Sequence, residues 1–157
     1  MRGTIRLWAL GAAMLAGGAA LAQEPSPGGK AVLARQAHMK ELGKAFGGVG
    51  AELRKEAPDK AALAAGAATV KAVAQQLPTW FPKGCGPEAG VKTAAKAEVW
   101  SDADGFDAAA ARLQAETAKL ADVASGGDLE AVKSQFRAAG AACNGCHEKY
   151  RAPAEPH

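Results

Sequence analysis

Cys143, Cys146 and His147 are the residues whose types and spacing specify a chemistry in this chain. Cys-x-x-Cys-His is the attachment pattern of a c-type haem. Two thiols add across the two vinyl groups of the porphyrin, and the adjoining imidazole offers a nitrogen to the iron as proximal ligand. On a helix, positions i, i+3 and i+4 share a face, so all three groups can address one flat macrocycle. Other uses of paired cysteines fit less well. Zinc takes four ligands, usually from two such pairs, and the sequence has no second pair. A thioredoxin-like couple opens a helix after a strand, whereas this pair lies deep in a helical pattern. A Cys143–Cys146 disulfide leaves His147 without a role. One covalently attached haem c is the expected cofactor.

The elements that must position these groups read as helices. Leu129, Val132, Phe136, Ala139, Cys143, Cys146 and Tyr150 recur at alternating spacings of three and four, an apolar seam that contains both cysteines. Asp128 is placed to cap this last helix. The helix before it carries Phe106, Ala110, Leu113, Thr117, Leu120 and Ala124, with Asp102 or Asp104 as cap and Ser125-Gly126-Gly127 as its end. The first helix carries Val32, Arg35, Met39, Leu42, Phe46, Val49 and Leu53, so Arg35 and Met39 fall on its buried seam one turn apart. A buried guanidinium calls for an anion. Gly43, Gly47, Gly48 and Gly50 weaken this helix unless they admit a close neighbour. In the second helix Pro58 suits the first turn, Leu63, Gly66, Val70, Val73 and Leu77 continue a seam, and Pro78 ends it. Alanine dominates that segment, and a core of alanine is thin enough to need a large filler such as a haem. From Pro78 to Trp100 no periodicity holds until about Ala94; Pro82, Pro87, Gly84, Gly86 and Gly90 punctuate the stretch. Trp80 and Phe81 argue for an ordered crossover that covers one edge of the cofactor. Cys85, the odd cysteine, reads as an incidental free thiol, and His38 and His157 as exposed or terminal histidines.

Residues 1–22 have the form of a secretory signal peptide: Arg2 and Arg6, a short apolar run, then Ala20-Leu21-Ala22. The run is shorter than the ~20 residues a membrane span needs, so the chain is expected to be exported to the periplasm and not to be membrane-bound. Cleavage before Gln23 leaves one domain with one core, 30–157, behind a Pro/Gly/Ser leader at 23–29 that is expected to be flexible. Nineteen basic against sixteen acidic side chains give a formal +3, and two of the arginines sit in the signal. No Lys/Arg block stands out, so a nucleic-acid role lacks its electrostatic footprint. No acid/base pair or activated nucleophile appears, which argues against an enzyme.

Four amphipathic helices with short first and last turns and a long middle connection specify an antiparallel up-down-up-down bundle. Arg35-Gln36-x-x-Met39, Trp80-Phe81-Pro82-x-Gly84, Lys96-Ala97-Glu98-Val99-Trp100 and Cys143-x-x-Cys146-His147-x-x-Tyr150-Arg151 together resemble the class II c-type cytochromes, which comprise cytochrome c′ and its low-spin relatives. Cytochrome c′ is itself a reference case of this bundle. The resemblance spans essentially the whole chain after the signal; Ala97 stands where family members commonly have Pro. It implies that Cys143 and Cys146 bind the haem and His147 the iron, with Arg35, Gln36 and Thr93 against the haem or its propionates. It also implies a homodimer through the first two helices, whose small Ala- and Gly-rich faces permit one. Met39 shares a seam with Arg35 near the start of the first helix, and His147 lies near the end of the fourth. In an antiparallel bundle those ends are neighbours, so Met39 is expected as sixth ligand of a periplasmic electron carrier serving a redox partner protein. Met at this position occurs both ligated and unligated among the proteins the chain resembles. The alternative is an open distal site that binds nitric oxide or carbon monoxide.

Overall fold

The computed structural model describes residues 24–153, so the signal at 1–22 and the terminal His157 lie outside the described residues. The elements are α1 (Pro27–Leu53), α2 (Lys60–Ala74), α3 (Glu98–Ser101), α4 (Ala103–Gly126) and α5 (Leu129–Tyr150), with 3-10 turns at Leu77–Trp80 and Pro87–Ala89. Among the described residues there is no β-strand, only an isolated antiparallel bridge between Ala95 and Arg151. α1, α2, α4 and α5 make the expected all-α four-helix bundle, and α3 is a single turn that hands the crossover to α4.

Three of the long helices begin where a side chain meets their orphan N–H groups. The Ser26 hydroxyl accepts from the Gly29 amide at 3.0 Å, with Pro27 in the first turn. Residues 27–29, read from sequence as part of a leader, are therefore already helical. The cap of α2 is Asp59, which accepts from the amides of Ala61 and Ala62 at 2.8 and 3.3 Å. Pro58 thus stands outside α2 and not in its first turn. Asp128 caps α5 through the amides of Glu130 and Ala131 at 3.0 and 3.2 Å. Gly127 ends α4 at φ +73°, the left-handed conformation that suits glycine. α2 stops at Ala74, short of Leu77, because Pro78 has no N–H to return to the preceding turn; the chain winds on as a 3-10 turn instead.

The seams point inward as their spacing requires. Phe106, Ala110, Leu113, Thr117, Leu120 and Ala124 of α4 are all buried, and the Thr117 hydroxyl donates back to the Leu113 carbonyl at 2.9 Å. The glycines of α1 divide into two kinds. A Cβ on Gly43, Gly47 or Gly48 would meet nothing, whereas one on Gly50 would lie 2.8 Å from the Phe136 ring. Gly50 is what lets α5 approach α1, next to the stacked rings of Phe46 and Phe136 at 4.2 Å.

Packing is uneven around the bundle. Each long helix packs continuously on the next in the chain, but α1 and α5 touch sparsely. Toward the start of α1 and the end of α5 the two stand apart, and the crossover lies across the gap. That segment is ordered, as expected, though its two 3-10 turns and α3 were not legible as regular elements. It also crosses α1 closely: a side chain on Gly28 would overlap the Gly84 carbonyl. No helix among the described residues is long and apolar enough to cross a membrane.

Candidate functional site

α5 presents Cys143, Cys146 and His147 toward α1, and α1 presents Met39 toward α5. Between them lie two adjoining cavities of about 350 and 440 Å³. Met39, Gly43, Cys146 and His147 border both, so the cavities are two lobes of one cleft. The size is that of a cofactor pocket. The inner lobe reaches Leu42, Phe46, Val70, Leu77 and Leu113 and is lined by no Lys, Arg, Asp or Glu. The outer lobe runs along the crossover, past Phe81, Thr93 and Val99, and its Lys and Arg side chains (Arg35, Lys40, Arg151) face no Asp or Glu lining the same lobe. An apolar slot with a basic edge fits a flat apolar ring that carries carboxylates on one side, which describes a haem and its propionates.

Burial raises the thiol pKa of Cys143, and burial followed by its neighbour Cys143 raises that of Cys146. Burial, and then the Arg151 guanidinium, lowers the pKa of His147, which favours the neutral imidazole that a metal requires.

Arg35 is only 4% exposed, as its seam position predicts, but its partners differ from the anion expected. Its Nη1 donates to the Cys85 thiol at 2.9 Å and, at 3.4 Å, to the Trp80 carbonyl. Its Nη2 donates to the Cys85 carbonyl at 3.1 Å and the Thr93 hydroxyl at 2.8 Å. The guanidinium also lies 4.7 Å from the centre of the Phe81 ring. Every acceptor is a neutral group of the crossover. Cys85, fully buried, is therefore part of this anchor and not incidental. Gln36 extends the anchor, donating to the Lys92 carbonyl at 2.8 Å. Arg35→Leu strips buried carbonyls of their donor, so a loss of about 2–5 kcal/mol is expected, measurable as a lower urea midpoint at an unchanged slope. His38 is not simply exposed: its ring stacks on Trp80 at 5.0 Å, turned away from the cleft that Met39 borders.

Sequence reasoning missed the fastening at the end of α5. Tyr150 donates to the Asp102 carboxylate at 2.8 Å, and Lys149 pairs with the same oxygen at 2.5 Å. From the sequence, Asp102 reads only as a helix cap. Its carboxyl is held below the ordinary 3.8 by Lys149 first and Tyr150 second. A depressed carboxyl contributes stability above its ordinary pKa and loses it as pH falls through the folded value. Asp102→Asn should therefore flatten the acid limb of a stability–pH curve below about pH 4. An acid limb identical to the parent's would show that Asp102 adds nothing.

The Cytochrome C′ family profile matches residues 30–151. The chain is 37% identical over 124 residues to cytochrome c′ of Rubrivivax gelatinosus, covering 78% of this chain and 95% of that one. It is 34% identical over 119 residues to cytochrome c-556 of Agrobacterium fabrum, covering 74% of this chain and 77% of that one. The fold superposes on the crystal structure of the Rubrivivax protein with a TM-score of 0.74 at 34% identity, over 82% of this chain and 99% of that one. It superposes equally, at 27% identity over 83% of this chain and 100% of that one, on a ferrous variant of cytochrome c′ from Alcaligenes xylosoxidans with bound NO (TM-score 0.74). Together with the cleft between α1 and α5, these matches are decisive: the chain belongs to the cytochrome c′ family, and its cofactor is one covalently bound haem c.

Proposed function

We propose that the chain is an exported, periplasmic electron carrier whose iron is held by His147 from α5 and Met39 from α1. The observation that carries this reading is that both side chains border both lobes of the cleft, from opposite walls. Cys143 and Cys146 supply the thioethers on the His147 side. Bound there, haem c provides a one-electron ferric/ferrous couple. The chain's part is to fix the ligand set, exclude water from the inner lobe and offset the propionates. Met39, a soft neutral ligand, favours the ferrous state and raises the potential. Arg35, Gln36 and Thr93 set the propionate edge, where Lys40 and Arg151 add positive charge. With its hydrogen bonds directed at neutral crossover groups, Arg35 can act on a propionate through its charge while holding the wall in place. In this reading the chain carries electrons and turns over no substrate, and its partner would be another redox protein. Gly47 and Gly48 of α1 face open space and Ala61, Ala65, Ala68 and Ala72 of α2 are exposed. That small-residue surface supports a homodimer.

A second reading has a specific motive. Variants of cytochrome c′ from Alcaligenes xylosoxidans have been solved with bound nitric oxide and with bound carbon monoxide. In this reading Met39 merely fills the distal side as a flexible core residue, and a diatomic gas takes the sixth position. The ferric optical and EPR spectra of the purified protein decide between the two. The electron-carrier reading expects a low-spin signal with the weak sulfur-to-iron charge-transfer band. A high-spin signal without that band would transfer the assignment to gas binding.

A further inference from the structure

Along the outer lobe of the cleft, the two helices that carry the ligands are joined by something other than their own packing. Direct contact between α1 and α5 is sparse and includes the Phe46–Phe136 stack, two turns along α1 from Met39. Near the ligands the connection is the short segment 92–96 of the crossover. On the α1 side, Thr93 Oγ1 accepts from Arg35 Nη2 at 2.8 Å, and the Lys92 carbonyl accepts from Gln36 at 2.8 Å. The same Thr93 oxygen accepts from the Ala95 amide at 3.1 Å, which bends the segment toward α5. There the Ala94 carbonyl accepts from the Ala152 amide at 2.8 Å, and the Lys96 amide donates to the Tyr150 carbonyl at 3.0 Å. Lys96 Nζ adds the carbonyls of Glu148 and Lys149 at 3.4 and 3.2 Å. These carbonyls belong to the last turn of α5, where helix geometry leaves acceptors without partners. The strap thus runs from one turn before Met39 to one turn after His147.

We propose that Thr93 is a positioning residue for the iron's sixth ligand. Its hydroxyl, held between Arg35 and the bend at Ala95, fixes the separation of α1 from α5 and with it the hold of Met39 on the iron. Lys96 fastens the other end of the same strap. The inference rests on the reading of Met39 as a ligand. It goes beyond that reading by placing the control of ligation in a segment that supplies no ligand. A ligand group works only when its supporting shell holds it to a fraction of an ångström. Here the support comes from the Thr93 hydroxyl, the Arg35, Gln36 and Lys96 side chains and a few backbone groups, because the helices support each other only further along, at Phe46 and Phe136.

The test is carbon monoxide binding to the ferrous holoprotein, in which Met39 must leave before the gas enters. Thr93→Val keeps the shape and removes the acceptor; it should raise the association rate at least tenfold, while Thr93→Ser should stay within about twofold of the parent. Lys96→Met, which keeps the aliphatic stem and touches no part of the cleft, should raise the rate in the same direction and serves if Thr93→Val fails to fold. In a Met39→Ala background neither substitution should change the rate further, because no ligand remains to be positioned. Parent-like rates in Thr93→Val or, if that variant does not fold, in Lys96→Met overturn the inference while leaving Met39 a ligand. So does an undiminished effect of either substitution in the Met39→Ala background, which would mean that the segment merely shapes gas access. A parent protein that is already high-spin and binds the gas as fast as Met39→Ala defeats the Met39 reading itself, and this inference with it.

Discussion

Replacing both Cys143 and Cys146 by Ala should yield a chain that carries no covalent haem and folds poorly on its own. The parent, denatured and weighed intact, should show polypeptide plus one haem; the variant should show polypeptide alone, its haem extractable into acidified organic solvent. The stability consequence follows from the shape of the cleft. Unfilled apolar space costs about 24 cal/mol per Å³, so the inner lobe of about 350 Å³ would cost at most about 8 kcal/mol if it stayed empty. The lobe is partly open to water, which makes this an upper bound, yet the whole stability of a domain is only about 5–15 kcal/mol. The side chains facing that space are too few to close it: of the buried residues of α2, only Val70 lines it. Thermal unfolding followed by far-UV circular dichroism should therefore show a large drop in midpoint for the variant with its haem removed. A haem-free double variant that melts like the holoprotein would refute the idea that the cofactor is the missing core.

Which of these features could be read from the sequence depends on how far each signal travels along the chain. The seam of α4 was legible residue by residue, and that of α5 except for the buried Ala142, because a helical period is a local property and the inward face follows from it. Asp128 and Gly127 were legible for the same reason: a cap acts within a few residues of itself. The middle of the chain carries no period, so its 3-10 turns and α3 had no local signature, and Pro58 misled because Asp59 beside it caps better. Met39 and His147 could be brought to one end of the bundle from connectivity alone, without knowing that both would border both lobes.

Arg35 marks the limit. Its position on the seam announced a buried cation, but the sequence offered no means of naming the acceptors. They lie 45 to 58 residues further along, and two of them are backbone carbonyls, which have no residue-type signal. Cys85 was passed over on the same ground, since its role depends on a guanidinium that arrives from another helix. The charge division of the cleft was likewise invisible: Lys40, Arg35 and Arg151 gather along one edge only once α1 and α5 are folded against the crossover. Asp102 looked like a cap because it precedes a helix, and its partners Lys149 and Tyr150 come from the far end of the chain.

Met39→Ala should produce the largest change in redox chemistry of any single substitution outside the haem-binding motif. In the electron-carrier reading the thioether completes the coordination and stabilises ferrous iron, so its loss should convert the ferric protein from low to high spin. The potential should fall by roughly 0.1–0.3 V, a fraction of the ~0.8 V that axial ligands command across haem proteins. Among the described residues, no other histidine is placed to take over as a ligand. His38, the adjacent residue, is engaged with Trp80 and Glu41 and is absent from the lining of both lobes. Removing the side chain also joins the lobes on the α1 wall, because Gly43 one turn further has nothing to put in its place. Carbon monoxide should then bind the ferrous form without waiting for a ligand to leave, and its association rate should become independent of Met dissociation. A titration of the potential and a stopped-flow trace on parent and variant measure both effects. If the two proteins share one high-spin spectrum, one potential and one gas-binding rate, Met39 is a pocket-filling residue and the chain is a gas-binding haem protein with an open sixth site.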